Sequence, residues 1–146
     1  MSTEAAHGGG LVVCGPHLGH APLLLLDSVA AVGSEGRDAV VVSGSHGGTS
    51  AARYAIAARP RLTAFNDAGI GKDEAGIVGL AMLQAEGLAA VAVAHTSARI
   101  GEARSTFEDG VLSRANALAQ ALGAVPGLRL RDWLSAASSE SSPDRR

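Results

Sequence analysis

The feature that most constrains the fold is a repeated alternation of short apolar runs with longer stretches of helical spacing. "DAVVVS" (38–43) is the clearest run, continuous in valine as a strand buried on both faces requires. "LVVC" (11–14), "RLTAFN" (61–66) and "LAAVAVAH" (88–95) read as strands too. Between them, "TSAARYAIAAR" predicts a helix that ends before Pro60, because a proline pushes the residue before it out of helical geometry. "DEAGIVGLAMLQAEG" (73–87) predicts another, with Ile77, Leu80 and Leu83 on one face and Gly87 as its stop. Its internal Gly76 and Gly79 each cost about 1 kcal/mol against alanine, so close approach of this helix to the sheet is expected in compensation. A last helix is expected over 106–122, with Phe107, Val111, Leu118 and Leu122 on one face, followed by an edge strand in "LRLRDWL" (128–134). "PLLLLDSVAAV" (22–32) fits either a helix opened by Pro22 or a further extended segment, since an apolar run alone does not decide.

Strands alternating with helices at this spacing predict a mostly parallel sheet covered on both sides. The expected fold class is α/β, a three-layer α/β/α sandwich, Rossmann-like or flavodoxin-like. Its 146 residues suit one domain with one core. That domain is expected over 11–134, between ends at 1–10 and 135–146 that are polar, aperiodic and expected to be disordered. Aromatic residues make up only 3% of the chain, so Ala, Val and Leu must fill the interior.

Several classes of function are disfavoured. The formal net charge is −2 with no basic block, so nucleic acid is not an expected partner. No apolar run approaches the roughly 18 residues of a membrane span, and "MSTEAAHGGG" lacks the basic region and apolar core of a signal peptide. A cytoplasmic protein without a membrane partner is expected. The single cysteine, Cys14, excludes an internal disulfide and a multi-cysteine metal site, and within an apolar strand it reads as inert core. His17 and His20 have H-x-x-H spacing, but Pro16 and Gly19 leave no helix to fix the two imidazoles. Neither a metal nor another cofactor is expected.

The chemistry gathers where ligands of open parallel sheets bind, beyond the carboxyl ends of the strands. Three successive strands end in polar loops, "SGSHGGTS" (43–50), "NDAGIGKD" (66–73) and "HTSARIGEARST" (95–106). In the first, Gly44, Gly47 and Gly48 free the backbone to offer N–H groups to an anion, together with the positive end of the next helix. Ser43 and Ser45 add hydroxyls, and His46 is the natural proton carrier near neutral pH. Thr49 or Ser50 serves as the helix cap. The second loop approaches a P-loop but has Asn66 where the first glycine belongs and Asp73 after Lys72, so ATP is not expected. Lys72 is the only lysine beside eleven arginines. It reads as a compact cation for a carboxylate or oxyanion, with Asp67 as base or orienting group and Asp73 opening the helix. In the third loop, Arg99 is a candidate bidentate clamp beside Ser97. Ser105 and Glu108 read as a capping box, Arg104 as a solvated charge, and His95 equally as structural or catalytic.

The expected function is a cofactor-independent enzyme acting on a small anionic metabolite that carries a carboxylate or carbonyl. A hydrolase is favoured over an isomerase or lyase because Ser, His and Asp stand on adjacent strand ends. Catalysis is expected from His46 as general acid or base oriented by Asp67, with Lys72 and Ser45, and substrate binding from Ser43, Gly44, Gly47, Gly48, Asn66, Ser97 and Arg99. The alternatives are a module that holds an anionic ligand without turnover, or a structural subunit of a larger oligomer. A homo-oligomer is expected in either case.

Overall fold

The computed structural model of the chain describes residues 3–5, 11–13, 18, 19 and 21–140. Cys14, His17 and His20 lie outside the described residues. The strands are β1 (Thr3–Ala5), β2 (Leu11–Val13), β3 (Leu23–Leu26), β4 (Val40–His46), β5 (Leu62–Asn66), β6 (Ala89–Val93) and β7 (Leu112–Ala115). The helices are α1 (Thr49–Ala58), α2 (Val78–Ala85), α3 (Ala103–Asp109), α4 (Ala117–Ala121) and α5 (Leu130–Glu140). The described strands form one seven-stranded sheet whose spatial order is the chain order, β1 to β7. The pairings β3–β4, β4–β5 and β5–β6 are parallel, while β1–β2, β2–β3 and β6–β7 are antiparallel. Five of the seven strands, β1 and β3 to β6, therefore point the same way, and the α/β architecture with a mostly parallel sheet holds.

The winding is sequential and lacks the reversal of strand order that Rossmann-like and flavodoxin-like sheets carry. Right-handed crossovers that always step in one direction put their helices on one face. Accordingly, Ala52 and Ala55 of α1 and Leu80 and Leu83 of α2 share a cluster with Leu24, Leu26, Val41, Phe65 and Ala92. The opposite face, with Leu23, Leu25, Val40, Val42, Leu62 and Val91, is covered by residues from after β6. These are Phe107 of α3, Ala119 of α4, and Leu130, Trp133 and Leu134 of α5. Each fully buried Leu, Val or Phe contributes on the order of 1.5–3 kcal/mol.

The run of four leucines is a strand, because Leu23 and Leu25 enter one cluster while Leu24 and Leu26 enter the other. Alternation to two apolar layers has period two, which a helix cannot satisfy. The single helix expected over 106–122 is instead α3, β7 and α4. α3 stops at Gly110, whose backbone is extended, and a Cβ there would meet the Thr106 carbonyl and lie 2.7 Å from Val93 Cγ1. Phe107 and Leu118 nonetheless pack against the same cluster, which is why helical spacing fitted them. The edge strand expected at 128–134 reduces to one bridge between Val111 and Arg129. There α5 begins, burying Leu130, Trp133 and Leu134 at helical spacing and extending to Glu140, inside the stretch expected to be disordered. Likewise β1 falls within residues 1–10. Gly79 serves a helix pair and a turn, since a Cβ there would lie 2.9 Å from Ala52 Cβ and from the Gly47 carbonyl.

Candidate functional site

The parallel strands deliver four titratable residues to one end of the sheet. Asp27 follows β3, His46 closes β4, Asp67 follows β5 and His95 lies two residues past β6. Neighbouring strands are about 4.8 Å apart, so the end of β5 lies one step from both histidine-bearing ends. The antiparallel β7 starts at the same end and adds Ser113.

Asp67 is the centre of this rim. It is 4% exposed, and its backbone N–H donates to the Val93 carbonyl of β6 at 2.8 Å, which turns it toward that strand. Oδ1 accepts from the N–H of Gly69 at 2.8 Å and of His95 at 3.0 Å. Oδ2 accepts from the Ser113 hydroxyl at 2.6 Å. The His95 ring stands with Nδ1 3.5 Å from Oδ1 while its side chain stays 56% exposed. Burial by itself raises the Asp67 pKa, but the Ser113 hydroxyl, the Gly69 and His95 N–H groups and the His95 ring together outweigh it. The carboxyl is held below its ordinary value. Asp67 is thus an ionised, immobilised carboxylate facing an exposed imidazole.

The backbone after Asp67 is unusual. Ala68, Gly69, Ile70, Gly71, Asp73 and Glu74 all have positive φ. A β-branched residue such as Ile70 at φ 68° is strained, by about 1–3 kcal/mol. The loop is pinned by bonds from the Ile70 N–H to the Asp67 carbonyl at 2.6 Å and from the Gly76 N–H to the Ile70 carbonyl at 2.8 Å. Gly76 has no room for a side chain, since a Cβ would collide with the Asp67 carbonyl. Asp73 belongs to a 3-10 turn, Lys72–Glu74, and does not open α2, whose N-cap is Ile77.

A cleft of about 540 Å³ opens beside this pair, lined among others by Asn66, His95, Thr96, Arg99, Ile100 and Asp109. Arg99 is the cation of the cleft; its guanidinium lies 3.7 Å from Glu102 and its side chain is 77% exposed. The expected binders Asn66 and Ser97 line it but are committed internally. Asn66 donates to the Ala98 carbonyl and accepts from the Ala68 N–H. Ser97 donates to the Ala94 carbonyl and accepts from the Val111 N–H. Ser105 lies inside α3 and is no capping box; its hydroxyl accepts from the Arg99 N–H at 2.9 Å, holding the 95–101 loop.

The residues of the 43–50 loop gather in a second cleft of about 420 Å³, where Gly44, Ser45, His46 and Ser50 meet Asp27, Tyr54 and Ile100. Two of the expected backbone donors are engaged within the protein. Gly44 N–H donates to the Asp27 carbonyl at 3.1 Å, and Gly47 N–H to the Gly76 carbonyl at 2.9 Å. The glycines serve close packing instead. A Cβ on Gly44 would collide with Gly101 and Glu102, and one on Gly48 would lie 2.7 Å from His46 Nε2. Ser43 is fully buried and donates to the Ala64 carbonyl at 2.9 Å, a strand-to-strand bond. Ser45 accepts from the Val29 N–H at 3.0 Å. Gly48 is the N-cap of α1 with no side-chain capping bond, so neither Thr49 nor Ser50 fills that place.

The expected constellation is therefore divided. Asp67 meets His95, whereas His46 and Ser45 line the other cleft. Lys72 is exposed, lines neither cleft and makes no ion pair among the described residues. Ser113 and Asp27 are the residues sequence patterns pass over. Asp27 accepts the Ala103 N–H at 2.9 Å, supplying α3 with a cap from 76 residues away. Its one signal is an acidic residue closing a run of four leucines; Ser113 carries none. Among the described residues, no group of three or more His, Cys, Asp and Glu is placed to hold a metal ion. None of their helices is long and apolar enough to cross a membrane. No protein-family model, curated protein or solved structure matches the chain.

Proposed function

We propose that the chain is a cofactor-independent enzyme for a small substrate bearing a carboxylate or carbonyl, with His95 as general acid–base and Asp67 as its orienting partner. The observation that carries this reading is a buried, ionised carboxylate 3.5 Å from the imidazole of a half-exposed histidine on a cleft wall. With Nδ1 on the Asp67 side at ion-pair distance, Nε2 is the nitrogen left to take a proton from water or substrate. Asp67 then stabilises the imidazolium without itself accepting the proton. Ser113 donates to the opposite carboxylate oxygen, so the chain of contacts runs Ser–Asp–His. That order leaves Ser113 unable to act as the nucleophile His95 activates. Ser97 and Ser105 are spent on loop bonds. The arrangement favours His95 acting on water or directly on a substrate proton over a covalent serine mechanism. Arg99 supplies the positive charge for a carboxylate or developing oxyanion.

A well-placed general base is worth about 10²–10⁴-fold in rate. Turnover of a panel of small carboxylate-bearing esters and β-hydroxy and β-keto acids tests the proposal. His95→Gln is expected to lose activity by that factor, whereas His46→Gln retains it. A His95→Gln protein as active as wild type overturns the assignment. Binding of the panel compounds without turnover by the unmodified protein points to a ligand-holding module instead.

A further inference from the structure

The second cleft has a character of its own. The chain has only four aromatic residues, two Phe, one Trp and one Tyr. Phe65, Phe107 and Trp133 are 0%, 4% and 5% exposed, as core aromatics should be. Tyr54 is 47% exposed, and it stands on the wall of this cleft with Ile100, itself 55% exposed. An exposed aromatic face and an exposed aliphatic side chain on one cavity are what a planar ring needs above and beside it.

The polar lining points to the rest of the ligand. Asp27 spends Oδ1 on the Ala103 N–H, and Oδ2 accepts no hydrogen bond from the described residues. A carboxylate oxygen in that position takes hydroxyl donors, as acidic residues at strand ends take ribose hydroxyls in dinucleotide sites. Ser45 uses its oxygen as an acceptor from Val29 N–H, which leaves its hydroxyl proton to donate. The His46 imidazole is exposed and makes no hydrogen bond among the described residues. Among the described residues no Lys or Arg lines the cleft, in contrast to the Arg99 cleft. A phosphate or carboxylate would face Asp27 with no Lys or Arg to offset it. We propose that this second cleft is a binding site for an uncharged aromatic ring compound bearing hydroxyl groups, of the nucleoside class, with the ring on Tyr54 and a sugar hydroxyl on Asp27. This site stands whether or not His95 is an acid–base group.

Adenosine titrated into the ¹⁵N-labelled full chain is the test. Saturable shifts are expected for the amides of Ser45, Tyr54 and Gly101, at lower concentration than adenosine 5′-monophosphate requires. Tyr54→Ala removes the stacking face and is expected to weaken adenosine roughly tenfold, while Tyr54→Phe retains it. Ile100→Lys gives an independent reading from a second lining residue and is expected to weaken binding too. The proposal is overturned if millimolar adenosine produces no saturable shift. It is equally overturned if the shifts fall only on His95 and Thr96, if Tyr54→Ala and Ile100→Lys bind as wild type does, or if the monophosphate binds more tightly than adenosine.

Discussion

Two carboxylate oxygens of Asp67 serve three protein donors and one imidazole. Asp67→Ala would leave the Gly69 and His95 N–H groups without this acceptor and the Ser113 hydroxyl with only its long 3.4 Å bond to the Ala92 carbonyl, and a loss of about 3 kcal/mol is expected in urea unfolding. The same bonds set a pH dependence. The folded-state pKa lies below the ordinary 3.8, so the folded protein gives up this proton more readily than the unfolded chain. Its contribution is fully present above 3.8 and disappears as pH falls through the lowered value. Wild-type stability is therefore expected to decline in acid below about pH 4, and Asp67→Asn is expected to lack that part of the decline when melts are compared across pH. At Thr63 the sign is opposite. Its hydroxyl is buried in β5 with no hydrogen-bond partner among the described residues. Thr63→Val keeps the shape and removes the unmet polar atom, so thermal unfolding should show a gain of about 1 kcal/mol.

Elements are joined here by side chains that reach across long stretches of chain. Asn116 uses its whole amide: Oδ1 accepts from the N–H of Ala90 and Ala119, and Nδ2 donates to the carbonyls of Leu80 and Leu88. It thereby caps α4 while fastening it to α2 and the start of β6. Asn116→Ala is expected to cost about 3 kcal/mol by chemical denaturation. Asn116→Asp should also destabilise, because a carboxylate oxygen would then face two carbonyls. The polar residues before and inside these short helices looked like ordinary caps or helix interior. Most of their partners sit on other elements and loops, which no local pattern reports. Apolar spacing was informative where one residue type met one layer, as for Leu80 and Leu83. It misled where separate elements faced the same cluster, as Phe107 and Leu118 do.

For the whole molecule, both faces of β4, β5 and β6 are covered, and these strands have partners on each side. Amide hydrogen exchange is expected to be slowest there, approaching the global unfolding free energy, and much faster in the edge strand β7. Comparable protection in β7 would mean that this edge is covered in solution. Sequential winding also explains the position of the candidate site. The residues between β6 and β7 leave and re-enter at the carboxyl end of the sheet, where Ala94 N–H meets the Val111 carbonyl at 2.8 Å. In between, the chain carries α3 back over β3 and β4. The loop 95–101 is thereby laid along the rim, with Gly101 N–H bonded to the Gly44 carbonyl at 2.7 Å. Ile100 ends up lining both clefts.

The amino-acid sequence alone determined the central strands, because continuous apolar runs of strand length have no other low-energy place than a sheet covered on both faces. It also determined that His46, Asp67 and His95 would gather at one end, because parallel strands share one direction. Tertiary structure decided which histidine Asp67 meets. The end of β5 lies one strand from each, so nothing in the spacing favoured His46 or His95. The choice was made by the bond from Asp67 N–H to β6, by the left-handed turn that brings Gly69 N–H to the carboxylate, and by Ser113 arriving on β7. Those are contacts between segments up to 46 residues apart, and their directions follow from packing the finished sheet.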